Sequence, residues 1–213
     1  MLKIRWFGHS LWQIKSEDIT IVTDPYTDIG YNMDIDLKAD ILLSSHDHFD
    51  HNNLDLVKGN PVIIREEGKY SPRNIEIEMF PVWHDHEKGA KRGKNLLMKF
   101  TVAGKSFLHC GDLGHPLSKE LIKKLGKIDL LMVPVGAVYT INAAEAYELA
   151  KKIDPEIIFP MHYNTSALNF ELEKKDNFLS YYSNIKTFDE SEIELTEEYF
   201  EGSAPIVIVM NYE

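Results

Sequence analysis

The stretch Ser45-His46-Asp47-His48-Phe49-Asp50-His51 packs three imidazoles and two carboxylates into seven residues. It follows Ala39-Asp40-Ile41-Leu42-Leu43-Ser44, an apolar run of the kind that forms a strand buried on both faces. The polar cluster therefore falls where the chain leaves a sheet, which is where open α/β sheets bind ligands. His46 and His48, two apart on extended backbone, share a face, and Asp50 and His51 turn back from the loop that follows. Nitrogen and oxygen donors at this density suit zinc or another first-row metal. A solvated polar turn is the alternative, and the rest of the chain bears on it.

Three more strand patterns run into candidate ligands. Ile75 to Phe80 leads to Pro81-Val82-Trp83-His84-Asp85-His86, Ser106 to Cys110 leads to Gly111-Asp112-Leu113-Gly114-His115, and Glu156 to Phe159 leads to Pro160-Met161-His162. Earlier, His9 and Asp24 stand where the strand patterns Leu2–Phe7 and Thr20–Thr23 pass into turns. Asp24 before Pro25 reads either as a turn residue or as a carboxylate that orients a metal-bound histidine. Of nine histidines, eight lie at or just past a predicted strand end and His109 lies within one. Repetition at one end of a sheet favours ligands over isolated structural histidines.

The remaining elements alternate in the α/β manner. Ala103-Gly104-Lys105 reads as a hairpin turn, Ser118–Leu125 as an amphipathic helix and Ile128–Val135 as a buried strand. Asn142 caps a helix over Ala143–Ile153 that Asp154-Pro155 stops. A short helix is expected within Asn53–Lys58, and Pro205–Met210 is expected to close a sheet.

A chain of 213 residues suffices for one domain over 1–213. Its net charge of -11 argues against general nucleic-acid or anionic-membrane binding, and no apolar run reaches transmembrane length. Residues 171–213 carry 11 acids against 3 lysines, most densely at Asp189–Glu194, and read as a solvated face. Against that acidity, Lys88, Lys91, Arg92 and Lys94 form a basic loop, either an ordinary mobile surface loop or a clamp for an anionic substrate. The single Cys110 reads as a small buried hydrophobe and fits a reducing cytoplasm.

The spacing HxHxDH at 46–51, with His84, Asp112 and His162 following in order, resembles the metallo-β-lactamase superfamily of hydrolases. Gly8-His9-Ser10, Asp24-Pro25, Arg92-Gly93-Lys94-Asn95, His109 to His115, Pro134-Val135-Gly136 with Tyr139-Thr140, and Pro160 to Tyr163 are similar to one branch of it. That branch holds L-ascorbate-phosphate lactonase and N-acyl-phosphatidylethanolamine phospholipase D. The resemblance covers about residues 2 to 165.

It implies a four-layer αββα sandwich with two divalent ions at one edge, Zn2+ first, with Mn2+ or Fe2+ as alternatives. One ion would take His46, His48 and His84; the other would take Asp50, His51 and His162; Asp112 would bridge them. His86 stays open as an alternative to His84. A hydroxide held between two metals would attack the substrate, with Asp50 as ligand and proton carrier. His9, Asp24, His86, Arg92, Asn95, His115 and Tyr139 are candidates to support ligands or touch a small-molecule substrate. Diiron oxidoreductases of the same fold, and metal-binding regulators without turnover, are the rival classes. Glutamate at the position of His48 and an added flavin domain would mark the first.

Overall fold

The structure is a computed structural model and describes residues 1–202 and 204–212. Its early strands are β1 (Leu2–Trp6), β2 (Trp12–Lys15), β3 (Thr20–Thr23), β4 (Ile41–Leu43) and β5 (Val62–Ile64). Then come β6 (Gly68–Tyr70), β7 (Ile77–Trp83), β8 (Lys94–Val102), β9 (Lys105–His109), β10 (Leu130–Pro134), β11 (Ile157–Met161) and β12 (Ile185–Thr187). The last two are β13 (Glu192–Leu195) and β14 (Ile206–Val209). They form a six-stranded sheet, β13-β1-β2-β3-β4-β5, and an eight-stranded sheet, β12-β14-β11-β10-β9-β8-β7-β6.

Alternation along the first sheet explains its two faces. Ile4, Trp6, Ile21, Ile41 and Leu43 join one core with the second sheet, while Val22 and Leu42 point the other way into a smaller cluster with Tyr26, Ile29 and Leu37. β4 is buried on both faces, as its unbroken apolar run predicts.

The helices α1 (Lys119–Leu125), α2 (Ala143–Ile153) and the four-residue α3 (Asp176–Leu179) contribute Leu125, Ala146, Leu149, Ala150 and Phe178 to the larger core. Ser118 Oγ accepts from Leu121 N at 3.1 Å and starts α1. A reciprocal Asn142–Glu145 capping box starts α2, and left-handed Asp154 (φ 53°) ends it. The layered sandwich is as expected, with one local difference. Outside the six-stranded sheet the described residues place irregular chain from Tyr26 to Ala39 and a 3-10 turn at Leu54–Leu56, with no α-helix.

The short helix expected within 53–58 is that single 3-10 turn at Leu54–Leu56. Two other expectations need correction. Pro205–Met210 does not close a sheet, because β14 lies between β11 and β12. The acidic run 189–194 is only partly a solvated face: β13 pairs with β1, turning Ile193 and Leu195 inward and Glu192 and Glu194 outward.

Candidate metal centre

Strand direction gathers the candidates. β1, β3, β4 and β5 run the same way, with β2 opposed; β7, β9, β10, β11, β12 and β14 run together in the other sheet. The chain leaves β1, β3 and β4 toward His9, Asp24 and His46, and leaves β7, β9 and β11 toward His84, Asp112 and His162. These six segments meet at one edge.

Two outer donor sets result, and a third, of His46, His51 and Asp112, joins them. One nitrogen from each of His46, His48 and His84 lies within 4.8 Å of the others, and His9, Asp50, His51 and His162 form a second such set. Asp112 stands between them. Its carboxylate is 3.1 Å from His51 Nε2, 3.1 Å from His84 Nε2, 3.2 Å from His162 Nε2 and 4.0 Å from His46 Nε2.

The donors fit a metal ion. Buried His46 Nε2, His51 Nε2, His162 Nε2 and Asp112 Oδ1 have no hydrogen-bond partner, an expensive arrangement for polar atoms with nothing to bind. The 3.1–3.2 Å between the Asp112 carboxylate and the Nε2 atoms of His51, His84 and His162 is close to the separation of two donors that each sit about 2.0–2.2 Å from a shared ion.

Asp24 orders the ligand face. Its Oδ2 is 2.9 Å from His51 Nδ1 and accepts from Ser45 Oγ at 2.8 Å, while Oδ1 accepts from Ser45 N at 2.7 Å. Because the Ser45 hydroxyl hydrogen goes to Asp24, its oxygen accepts from His46 Nδ1 at 2.9 Å. One carboxylate thereby fixes the hydrogen of both imidazoles on Nδ1 and turns each Nε2 toward the centre, where the neutral ring offers its lone pair. Asp24 itself holds a left-handed backbone (φ 45°), which a short acidic residue tolerates.

The electrostatics follow. Burial opposes charge on His51, yet Asp112, Asp50 and Asp24 outweigh it and hold the imidazole well above its ordinary pKa. Burial opposes the Asp112 carboxylate too, and His162 and His51 overcome it, keeping the acid well below the usual range. His46 has no such surplus: burial, then His51, lowers it to about 3.

Asn95 places the Asp112 turn. Its Nδ2 donates to Cys110 O at 2.9 Å, and its Oδ1 accepts from Asp112 N at 3.0 Å. Gly111 between them has φ 51°, and a Cβ there would lie 2.3 Å from Asn95 Oδ1.

The basic loop is anchored. Asp85 accepts the backbone N–H groups of Glu87, Gly89, Lys91 and Arg92 at 2.8–3.0 Å, and together these bonds hold its pKa near 2 although burial works against the charge. The Arg92 guanidinium lies 4.4 Å above the Tyr139 ring. A cleft of about 440 Å³ opens beside the centre, lined by His46, His48, the cations Arg65, Arg92 and Lys94 and the acids Asp47, Glu66 and Glu67, with Arg65 3.6 Å from Asp47.

Two candidates stand apart. The His86 side chain is 59% exposed and 3.4 Å from Glu145, whereas His84 is buried against Asp112. His115 spends both nitrogens on backbone: Nε2 accepts from Trp83 N at 3.1 Å, so Nδ1–H donates to Pro116 O at 2.9 Å. Ser45, Asp85 and Arg65 were not singled out by sequence. Ser45 immediately precedes the motif, and Asp85 sits between His84 and His86, so adjacency was their one signal.

A family model described as Beta-lactamase superfamily domain matches residues 3–162. A UPF0173 metal-dependent hydrolase of Pyrobaculum islandicum is 31% identical, the match covering 82% of this chain and 88% of that protein. One from Archaeoglobus fulgidus is 28% identical, over 82% of this chain and 87% of that protein. Among solved structures, a candidate Zn-dependent hydrolase of the metallo-β-lactamase superfamily from Thermotoga maritima is 36% identical with a TM-score of 0.82, covering 99% of this chain and 98% of that one. With an extensive sequence match, a shared fold and a donor cluster suited to an ion, the chain belongs to the metallo-β-lactamase superfamily, among its UPF0173 metal-dependent hydrolases.

Proposed function

We propose that this hydrolase acts on a small anionic substrate, a phosphodiester or an anionic lactone, with two divalent ions held at the sheet edge. His46, His48 and His84 would hold one ion; Asp50, His51 and His162 would hold the other; Asp112 would serve both. The observation that carries the reading is the convergence of four imidazole Nε2 atoms on the buried Asp112 carboxylate, at 3.1–4.0 Å. Bound divalent ions supply Lewis acidity and lower the pKa of water toward about 7. Imidazole with carboxylate suits Zn2+, with Mn2+ or Fe2+ as alternatives.

The chain's own groups divide the remaining work. Asp24 and Ser45 hold the tautomers of His51 and His46. Arg92, braced on Tyr139, supplies positive charge along the cleft, where a guanidinium can grip phosphate or carboxylate by two parallel hydrogen bonds. The likeness of Arg92-Gly93-Lys94-Asn95 and Tyr139-Thr140 to the lactonase and phosphodiesterase branch supports the same substrate classes. An imidazole at position 48 favours hydrolysis over the diiron redox chemistry of this fold.

The test is metal content and turnover on one sample. Protein reconstituted with Zn2+, Mn2+ or Fe2+ should hold close to two equivalents and hydrolyse a member of an anionic phosphodiester and lactone panel. Asp112→Ala should lose turnover by about 100-fold or more while still folding. Metal content near zero with every ion, or undiminished turnover in metal-loaded Asp112→Ala, would overturn the reading.

A further inference from the structure

We propose that His9 is the positioning residue for Asp50, donating through Nε2–H to Asp50 Oδ2 at 3.2 Å and holding that carboxylate against His51 and His162. The inference rests on the two-ion reading, in which Asp50 is a ligand. Among the described residues, His9 is the one hydrogen-bond partner of the Asp50 side chain. The Asp50 backbone lies in a tight turn closed by His51 N to His48 O at 2.9 Å, and Phe49 beside it is 62% exposed. A carboxylate at such a rim can swing toward water unless something holds it.

His9 is built into the fold to do so. It is fully buried, and its backbone takes the left-handed conformation at φ 51°, uncommon for a residue other than glycine. Its carbonyl accepts from His162 N at 3.2 Å and from Trp6 Nε1 at 3.1 Å, which ties the exit of β1 to the exit of β11 across the two sheets. Gly8 before it, at φ 98°, packs so closely on Tyr31 that a Cβ would lie 2.5 Å from the ring. The imidazole centroid lies 4.2 Å from that of the His162 ring, the two planes tilted by 41°, with Phe170 edge-on at 5.7 Å. Its other nitrogen, Nδ1, has no partner, so the bond to Asp50 is the one hydrogen bond that the ring makes. Asp24 orients imidazole ligands through a carboxylate; here an imidazole orients a carboxylate ligand.

Two variants separate the donor from the backbone. His9→Asn takes the left-handed conformation readily, so the turn is kept, while its short amide stops well before Asp50. His9→Gln carries an N–H donor about as far as the imidazole does. Metal-free wild type and both variants would be titrated with Zn2+ against a chromophoric chelator. The wild type should bind two equivalents. His9→Asn should bind one with unchanged affinity and the other 10- to 100-fold more weakly, and His9→Gln should recover much of that loss. Both equivalents at wild-type affinity in His9→Asn would overturn the inference, as would a loss in His9→Gln equal to that in His9→Asn. Should His9→Gln fail to fold, His9→Asn alone shows whether the loss occurs; should His9→Asn fail to fold, His9→Gly, which takes the left-handed backbone without steric cost and carries no donor, takes its place in the same comparison. A single equivalent in the wild type would instead overturn the two-ion reading.

Discussion

Asp24 Oδ2 lies 2.9 Å from His51 Nδ1, with both side chains fully buried, and the same oxygen takes the Ser45 hydroxyl that in turn receives His46. One acid, 22 residues before the motif begins, thus governs two of its three histidines.

Replacing Asp24 by Asn keeps its shape, yet supplies an amide N–H where an acceptor is required. Metal affinity should fall by about 10- to 100-fold through the loss of tautomer control. Asp24→Ala should also lower stability by roughly 1–3 kcal/mol for each buried donor left unpaired. Zn2+ titration and denaturant unfolding of the metal-free protein measure the two effects separately. Unchanged affinity in Asp24→Asn would reduce Asp24 to a turn residue.

Gly111→Ala tests the placement of Asp112 without touching a donor. The new methyl would meet Asn95 Oδ1 at 2.3 Å and Ser45 Cβ at 2.6 Å, on backbone at φ 51°. Overpacking of this kind costs about 1–3 kcal/mol, with about 1 kcal/mol more for the left-handed backbone. Thermal unfolding should show that loss, and metal affinity should fall with it as the Asp112 turn shifts.

The parts of this arrangement that were legible in sequence are local. α2 could be read because Asn142 caps it, Asp154-Pro155 stops it and its apolar residues recur on one face. The ligand candidates could be read because histidine is uncommon and kept recurring at strand exits. β13 was hidden: its burial depends on pairing with β1 at the other end of the chain, including a 3.2 Å contact of Lys3 with Glu192, and acids dominate its local pattern. β12 is wholly exposed and left no hydrophobic period to find. Ser45 and Asp85 escaped for another reason, since Ser and Asp are ordinary turn residues until the groups they bind are known. The choice between His84 and His86 as the buried partner of Asp112 needed the register at the end of β7.

Asp85 should control order in the basic loop. Asp85→Ala removes the acceptor of four backbone N–H groups, so the amides of Glu87, Gly89, Lys91 and Arg92 should exchange at least tenfold faster. Limited proteolysis should then cut within 87–92 sooner than in the wild type. Equal exchange at all four amides would mean that other contacts hold the loop.

Arg92→Ala should raise KM strongly for an anionic substrate and little for a neutral analogue, because the charge is lost and the cleft otherwise kept. Tyr139→Leu should produce a smaller shift in the same direction by removing the ring beneath the guanidinium, a cation–π contact of about 0.5–2 kcal/mol. Small, equal effects on both substrates would leave Arg92 as surface charge.

The metal-free protein should be most stable near neutral pH and lose stability on both sides, for different reasons. Burial and His162 lower His9 to about 4, and burial and His51 lower His46 to about 3, so the folded protein resists protons that the unfolded chain accepts near 6.5. Their stabilising contribution is present above about 6.5 and is lost as pH falls toward those folded values, at about 1–2 kcal/mol per imidazole by pH 5. His51 has the opposite sign. Its raised folded pKa gives a contribution fully present below about 6.5 that disappears as pH climbs through the folded value. With His51 as a ligand, as proposed, bound metal requires its neutral ring, so saturation with Zn2+ should abolish the alkaline loss. Denaturant midpoints at pH 5, 7 and 9, with chelator and with excess Zn2+, check both arms. A metal-free midpoint that does not fall from pH 7 to 9 would mean that folding does not raise the His51 pKa.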